Sequence, residues 1–166
     1  MKKVELLSPA GNYECMIAAV QAGCNAVYLS GKSFGARSFA GNFENDELIQ
    51  AVNYCHLHNV KVYVTVNTIV LENEFNELHI YLNFLKDINI DAVIVQDLGV
   101  LRFIKKNYPT LEVHASTQMN VFNKNGALLL KQLGVSRVVL AREVNIDDVK
   151  EISNTGIETE IFIHGA

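Results

Sequence analysis

The chain has 166 residues, 49% of them hydrophobic and 19% charged, which is enough apolar content for one domain with a full core and excludes a disordered tail. Its 14 basic and 18 acidic residues give a net charge of −4 at pH 7, which excludes a broad cationic surface for a nucleic-acid backbone. The apolar run at the N-terminus ends at Ser8-Pro9, too short for a signal peptide or a membrane span, so a cytoplasmic protein without membrane contact is expected.

In chain order, apolar runs rich in β-branched residues predict seven strands, at Val4–Leu7, Ala26–Leu29, Val62–Val66, Ala92–Val95, Leu111–Ala115, Val138–Leu140 and Ile161–Ile163. Helical spacing fills the intervals. Leu48, Val52 and Cys55 share one face of LIQAVNYCHLH, Phe75, Leu78, Leu82 and Leu85 form a second stripe, and Leu128, Leu129 and Leu133 a third. Asn45 before Asp46-Glu47, and Asn145 before Ile146-Asp147-Asp148, are expected N-caps with first-turn acids. The strand starts AGCNAVYL, INIDAVIV and LGVSRVVL resemble one another, each passing from a helix end through a short polar step.

This βα alternation has no fixed repeat period and no Pro- or Gly-rich linker, so one α/β domain with a parallel sheet is expected. A Rossmann-type sheet would carry a glycine fingerprint at its first βα turn, whereas SPAGNYE holds one glycine. The expected fold is a TIM-type (β/α) barrel spanning 1–166 as a single domain. It is expected to be incomplete, a C-terminally truncated fragment of a longer protein, because a whole barrel typically has about 250 residues and eight strands. Two unpaired sheet edges would follow, and with them self-association.

Cys15, Cys24 and Cys55 form no C-x-x-C pair, and packed thiols are the simpler reading than a disulfide framework or a zinc knuckle. His56 and His58 fall in the last turn of their helix, where an imidazole interacts well with the dipole. No G-x-S-x-G, H-E-x-x-H or P-loop order is present. The informative pattern is at the strand ends, where VTVNT, VIVQD, LEVHASTQM, VVLARE and IFIHG each finish on hydrogen-bonding groups. A barrel gathers its C-terminal strand ends on one face, where the active site sits.

Side-chain alternation sets His114, Ser116 and Gln118 on one side of their strand, and Phe162 and His164 on one side of theirs. His114 and His164 are candidate general acid/base groups, with Asp97 or Glu143 fixing their tautomer, and Arg142 is a candidate anion anchor. The long glycine-bearing connection SGKSFGARSFAGNF, with Lys32 and Arg37, is a candidate lid or phosphate-contacting loop. Each of these residues also has a purely structural reading, as a rim ion pair or a strand-end cap.

Taken in order, ELLSPAGNYE, AVYLSGKSFGAR, AGNF, KVYVTVNT, VHASTQMNV, RVVLARE and FIHGA resemble the N-terminal region of the collagenase-like peptidases of unknown catalytic type, peptidase family U32. The resemblance runs from about Val4 to Ala166. It implies either peptidase activity or the oxygen-independent hydroxylation of transfer RNA, ribosomal RNA or a quinone ring, in which an iron–sulfur cluster takes part and, for the RNA enzymes, a prephenate-linked oxygen supply. In such members the cluster cysteines begin just after the HGA motif, so the resemblance implies no cofactor within this chain and cluster ligands beyond Ala166. It implies an RNA or small-molecule substrate and a related partner subunit. Carried over position by position, the site is expected at His114, Glu143 and His164 as catalytic groups. Arg37, Asn67, Asp97, Gln118 and Arg142 are expected as substrate-binding groups. A ligand-binding barrel without catalysis is the remaining alternative.

Overall fold

The computed structural model describes residues 4–36 and 41–164. Seven strands follow one another in the sheet in chain order: β1 (Leu7–Pro9), β2 (Ala26–Leu29), β3 (Lys61–Val66), β4 (Ala92–Val95), β5 (Glu112–Ala115), β6 (Arg137–Val139) and β7 (Glu158–Glu160). They alternate with α1 (Tyr13–Gln21), α2 (Asn45–Leu57), α3 (Phe75–Asp87), α4 (Leu98–Asn107), α5 (Lys124–Gln132) and α6 (Ile146–Ser153). β1 with β2, β2 with β3, β5 with β6 and β6 with β7 all pair in parallel. This parallel βα succession is the incomplete TIM-type (β/α) barrel expected from the sequence. No helix among the described residues is long and apolar enough to cross a membrane.

The chain divides into two compact units, Met1–Val93 and Ile94–Ala166. The first holds β1 to β3 with α1 to α3. Its core is Met16 of α1, Leu48, Ala51, Val52 and Cys55 of α2, and Leu78, Leu82 and Leu85 of α3, with Val27, Leu29, Val62 and Val64 of the strands. The second holds β5 to β7 with α4 to α6, and buries Val100, Leu101 and Ile104, Ala127 and Leu130, Ile152, and the strand residues Val113, Ala115 and Val138.

The recurring strand starts have one physical basis. Gly23, Asn59, Asn89, Gly134 and Gly156 stand just beyond helix ends with φ of 87°, 57°, 59°, 88° and 75°, the left-handed conformation that glycine and asparagine adopt at low cost. Each is followed by a buried apolar residue, namely Cys24, Val60, Ile90, Val135 and Ile157. The next residue then donates its N–H to the strand before: Asn25 to the Leu6 carbonyl at 2.8 Å, Lys61 to Asn25 at 3.1 Å, Asp91 to Val62 at 3.0 Å, Ser136 to Val113 at 3.0 Å and Glu158 to Ser136 at 3.3 Å. Three of these residues add a side-chain bond to the same strand. Asn25 Oδ1 accepts from Leu6 N–H at 2.9 Å, Asp91 Oδ2 accepts from Val62 N–H at 2.8 Å, and Ser136 Oγ donates to the Val113 carbonyl at 3.2 Å.

Four local expectations are corrected. β1 begins at Leu7 rather than Val4, and Val4 and Leu6 are exposed. β7 is Glu158–Glu160 rather than Ile161–Ile163, and those three apolar residues are exposed. The left-handed turn at Gly156 starts the pairing at Glu158, and the buried Arg137 guanidinium holds Glu158 and Glu160 beside it at 3.2 and 3.4 Å, so charge rather than hydrophobicity selects this strand. On α5 the buried side is Ala127 and Leu130, and Leu128, Leu129 and Leu133 are exposed; three successive leucines offer an apolar residue to almost any face, so spacing alone cannot choose the rotation. Finally, α2 includes Asn45, and its N-cap is Glu44, whose N–H donates to Glu47 Oε2 at 2.8 Å. Asn145 is the N-cap expected for α6, its Oδ1 accepting from Asp147 and Asp148 N–H at 3.0 and 2.9 Å.

Candidate functional site

In the first unit, the chain leaving β2 is held against the end of β3. Asn67 Oδ1 accepts from Ala36 N–H at 3.0 Å and Thr68 Oγ1 donates to the Phe34 carbonyl at 3.3 Å. Phe34 turns through the left-handed region with φ 59°. Gly31 and Gly35 are needed for closeness: a Cβ at Gly31 would collide with the Tyr81 hydroxyl, and one at Gly35 with Ser30 Oγ. Asn67, expected to bind substrate, therefore clamps this loop through its amide oxygen. Arg37 lies outside the described residues.

The second unit carries the remaining candidates. Asp97 follows β4 and caps α4, its Oδ1 accepting from Gly99 N–H at 2.6 Å and Val100 N–H at 3.1 Å. The polar end of β5 is divided between structure and surface. Ser116 donates its N–H to the Val95 carbonyl at 2.7 Å, its Oγ accepts from Gln118 N–H at 3.3 Å and donates to Gln118 Oε1 at 3.2 Å. Thr117 Oγ1 donates to the Leu140 carbonyl at 3.1 Å. Asn120, with φ 53°, turns the chain so that Val121 bridges to Leu140. Strand alternation stops at Ala115 and a 3-10 turn follows over Thr117–Met119, so Gln118 is exposed whereas His114 and Ser116 are buried.

His114 is 1% exposed, with Nε2 3.7 Å from Glu112 Oε2, ion-pairing distance when the imidazole carries a second proton. In the register of β5 with β6 it lies beside Arg137. Arg137 is itself buried, with Nη2 3.2 Å from Glu158 and Nη1 3.4 Å from Glu160. A row of charged groups thus crosses β5, β6 and β7 before the strand ends are reached. Sequence reasoning missed Glu112, Arg137, Glu158 and Glu160. Their signal was parity: Arg137 shares its strand face with Val139 and Ala141, and Glu158, Glu160 and Phe162 share one face along their segment.

Beyond these strands, Arg142, Glu143 and His164 are exposed. The Arg142 guanidinium carbon sits 4.4 Å from the centre of the Phe162 ring, a cation–π stack. Both residues line a cavity of about 160 Å³ together with Leu140, Val144, Val149 and Ile161. The structure thus brings Arg142 to Phe162, which the sequence did not single out as a contact. It places the exposed Gln118, Glu143 and His164 at the ends of β5, β6 and β7 in the same unit, and it separates His114 from solvent.

The chain's own thiols do not fit an iron–sulfur cluster, which takes thiolates. Burial raises the Cys24 thiol, and burial above all, with the nearby Asp91 carboxylate and any charge on Cys24 adding to it, pushes Cys55 up to about 12. Both are held neutral, and Cys15 stands apart as an exposed thiol. Among the described residues, no group of three or more His, Cys, Asp and Glu is placed to hold a metal ion.

Comparison with known proteins gives the family context. The model of peptidase family U32 matches residues 11–166. The chain is 40% identical to an uncharacterised protease of Methanocaldococcus jannaschii, over 100% of this chain and 42% of that protein. It is 39% identical to tRNA hydroxylation protein P1 of Bacillus subtilis, over 99% of this chain and 39% of the relative. It is also 38% identical to a 23S rRNA 5-hydroxycytidine synthase of Escherichia coli, over 99% and 25%. The chain thus spans about two fifths or less of these relatives. Among solved structures, a U32 peptidase superposes with a TM-score of 0.76 at 16% identity, over 97% of this chain and 69% of the other. A glycerophosphodiester phosphodiesterase of Parabacteroides distasonis superposes at 0.67 and 11%, over 99% and 87%, a likeness of fold alone.

Proposed function

Because the chain belongs to peptidase family U32, we propose that it is the substrate-holding barrel of an RNA-hydroxylating protein. The observation that carries this reading is identity of 38–39%, over 99% of the chain, to relatives named for tRNA hydroxylation and for 5-hydroxycytidine synthesis in 23S rRNA. In this reading the exposed end of the second unit receives the RNA, with Arg142 as the cationic contact and Gln118 as an amide donor and acceptor. Glu143 and His164 are the exposed groups able to move a proton at the reacting nucleotide. His114, buried against Glu112, acts as a positioning residue. With a net charge of −4, most backbone contact comes from elsewhere in the full-length protein or from a partner subunit. An iron–sulfur cluster, where the full-length protein carries one, takes cysteines other than Cys15, Cys24 and Cys55, and the whole operates in the cytoplasm.

Hydrolysis of peptides is the second reading, favoured by the 40% identity to a relative named as a protease. It would rest on Glu143 and His164 activating water. The two readings separate in one experiment: deletion of the full-length gene followed by mass spectrometry of nucleosides from tRNA and 23S rRNA. Loss of a nucleoside heavier by one oxygen, restored by the intact gene and not by an Arg142→Leu variant, supports hydroxylation. Unchanged nucleosides, with peptide cleavage by the purified protein that disappears in His164→Ala, overturn it.

A further inference from the structure

From the cavity beside Arg142 and Phe162 we infer that the second unit carries a stacking subsite for one unpaired nucleobase, with Arg142 between the base and the Phe162 ring. The inference rests on the RNA reading and adds to it a place and a recognition chemistry.

A guanidinium has two flat faces and an edge of N–H donors. One face of Arg142 is taken by Phe162 at 4.4 Å, and among the described residues Arg142 makes no ion pair. Because Arg142 is exposed, a planar ring can meet its second face, and the phosphate of the same nucleotide its N–H edge. The cavity that both residues line combines the apolar side chains of Leu140, Val144, Val149 and Ile161 with about as much polar surface. Its volume of about 160 Å³ is below the roughly 300–1,000 Å³ of sites for drug-sized ligands, so it admits a single ring and not an extended molecule. Apolar side chains, a flat cation and an aromatic ring together suit a group that is planar and partly apolar and that carries a negative charge close by. An unpaired nucleotide has all of these, and a base within a duplex shows neither face.

Charge supports the same choice. A net −4 chain that meets RNA through one guanidinium at this site draws little on counterion release, for which each neutralised phosphate of a single strand contributes a slope of about −0.7 in log affinity against log salt. Binding here depends on stacking, and its salt dependence is shallow.

The test uses the 166-residue chain and fluorescence anisotropy of labelled RNA hexanucleotides. Three probes are compared: a single-stranded hexamer, the same backbone with abasic riboses, and a hexamer within a duplex. Phe162→Leu, which removes the ring that holds the Arg142 guanidinium flat, is expected to weaken single-strand binding by up to about tenfold, the order of one lost base stack, with the abasic probe and the salt slope unchanged. Arg142→Lys, which keeps the charge and removes the flat face, is expected to weaken the single strand at least fivefold. Phe162→Tyr restores the wild-type affinity. Phe162 is exposed, and equal urea midpoints for wild type and variants establish that folding is intact. Single-strand binding that is the same in wild type, Phe162→Leu and Arg142→Lys overturns the subsite and leaves the RNA reading standing. Wild-type protein that binds none of the three probes also overturns the subsite, whereas the RNA reading falls only with unchanged nucleosides in the full-length gene deletion.

Discussion

Replacing Arg137 by methionine keeps most of the side-chain volume and removes the guanidinium that stands between Glu158 and Glu160. The two ion pairs are unequal. The Glu158 side chain is 46% exposed, so water screens its pair and the expected contribution is about 0–1 kcal/mol. Glu160 is 18% exposed and would be left as a mostly buried carboxylate without its guanidinium. Breaking buried pairs typically costs about 3–5 kcal/mol; the residual exposure of Glu160 puts the expected loss near the lower end, about 3 kcal/mol. Against a typical total of roughly 5–15 kcal/mol this variant remains folded but weakened, and its urea midpoint falls by about 1–3 M at an m-value of about 1–3 kcal/mol/M. Combining Arg137→Met with Glu160→Leu removes the carboxylate along with its guanidinium, so the double variant is expected to recover much of the loss. A loss below about 1 kcal/mol in the single variant, or a double variant no more stable than the single, would refute the assignment of a largely buried Arg137–Glu160 pair.

Asp97→Ala should lower stability by about 1 kcal/mol through loss of the α4 cap, and Asp97→Asn by much less; urea titration of both separates a cap from a substrate ligand, for which Asn would also fail. Gly156→Ala should cost about 1–2 kcal/mol because residue 156 has φ 75°, whereas the nearby Lys131 Nζ, 3.3 Å from the added Cβ, is a flexible end that moves aside. A thermal melt showing no loss would place the cost elsewhere. For Cys55 the folded thiol is raised from 9.0 to about 12, so above pH 9 the unfolded chain releases a proton that the folded chain keeps. Its contribution to stability is therefore full below pH 9 and is lost progressively as the pH rises toward about 12. Thiol titration at pH 8 should find Cys15 reactive in native protein and Cys24 and Cys55 only after unfolding; rapid labelling of all three would contradict the burial.

The interior strands were legible because burial on both faces leaves a continuous β-branched run, as at Val62–Val66 and Ala92–Val95. The ends of the series were not, because β1 and β7 are marked by junction chemistry and charge. Gly156-Ile157-Glu158 repeats the left-handed, apolar, polar order of Gly134-Val135-Ser136 and Asn89-Ile90-Asp91, and that pattern locates β7 where hydrophobicity misplaced it. In the candidate site, the polar strand ends were legible in the sequence, but their depth was not. His114 and Ser116 lie below the surface and Gln118 above it, since the strand gives way to a 3-10 turn between them. The capping role of Asp97 went unread because an acid at a strand end is also an acid at a helix start. The Arg142–Phe162 stack joins residues from two consecutive βα units, a distance in sequence across which periodicity carries no information.

The side-chain bonds that fasten each strand start to its predecessor span 19, 29 and 23 residues at Asn25, Asp91 and Ser136. Closing loops of such similar length differs in entropy by only a few tenths of a kcal/mol, so no strand addition within either unit is much slower to find than the next. A nascent chain emerging from the ribosome at about 5–20 residues per second needs only a few seconds to present each new pairing partner, and its predecessor is already in place. Low contact order of this kind favours assembly by accretion from the N-terminus. Amide protection in pulse-labelled stalled chains should then appear at β2 before β3 in the first unit and at β6 before β7 in the second. Simultaneous protection of all strands would instead mark collapse as the organising step.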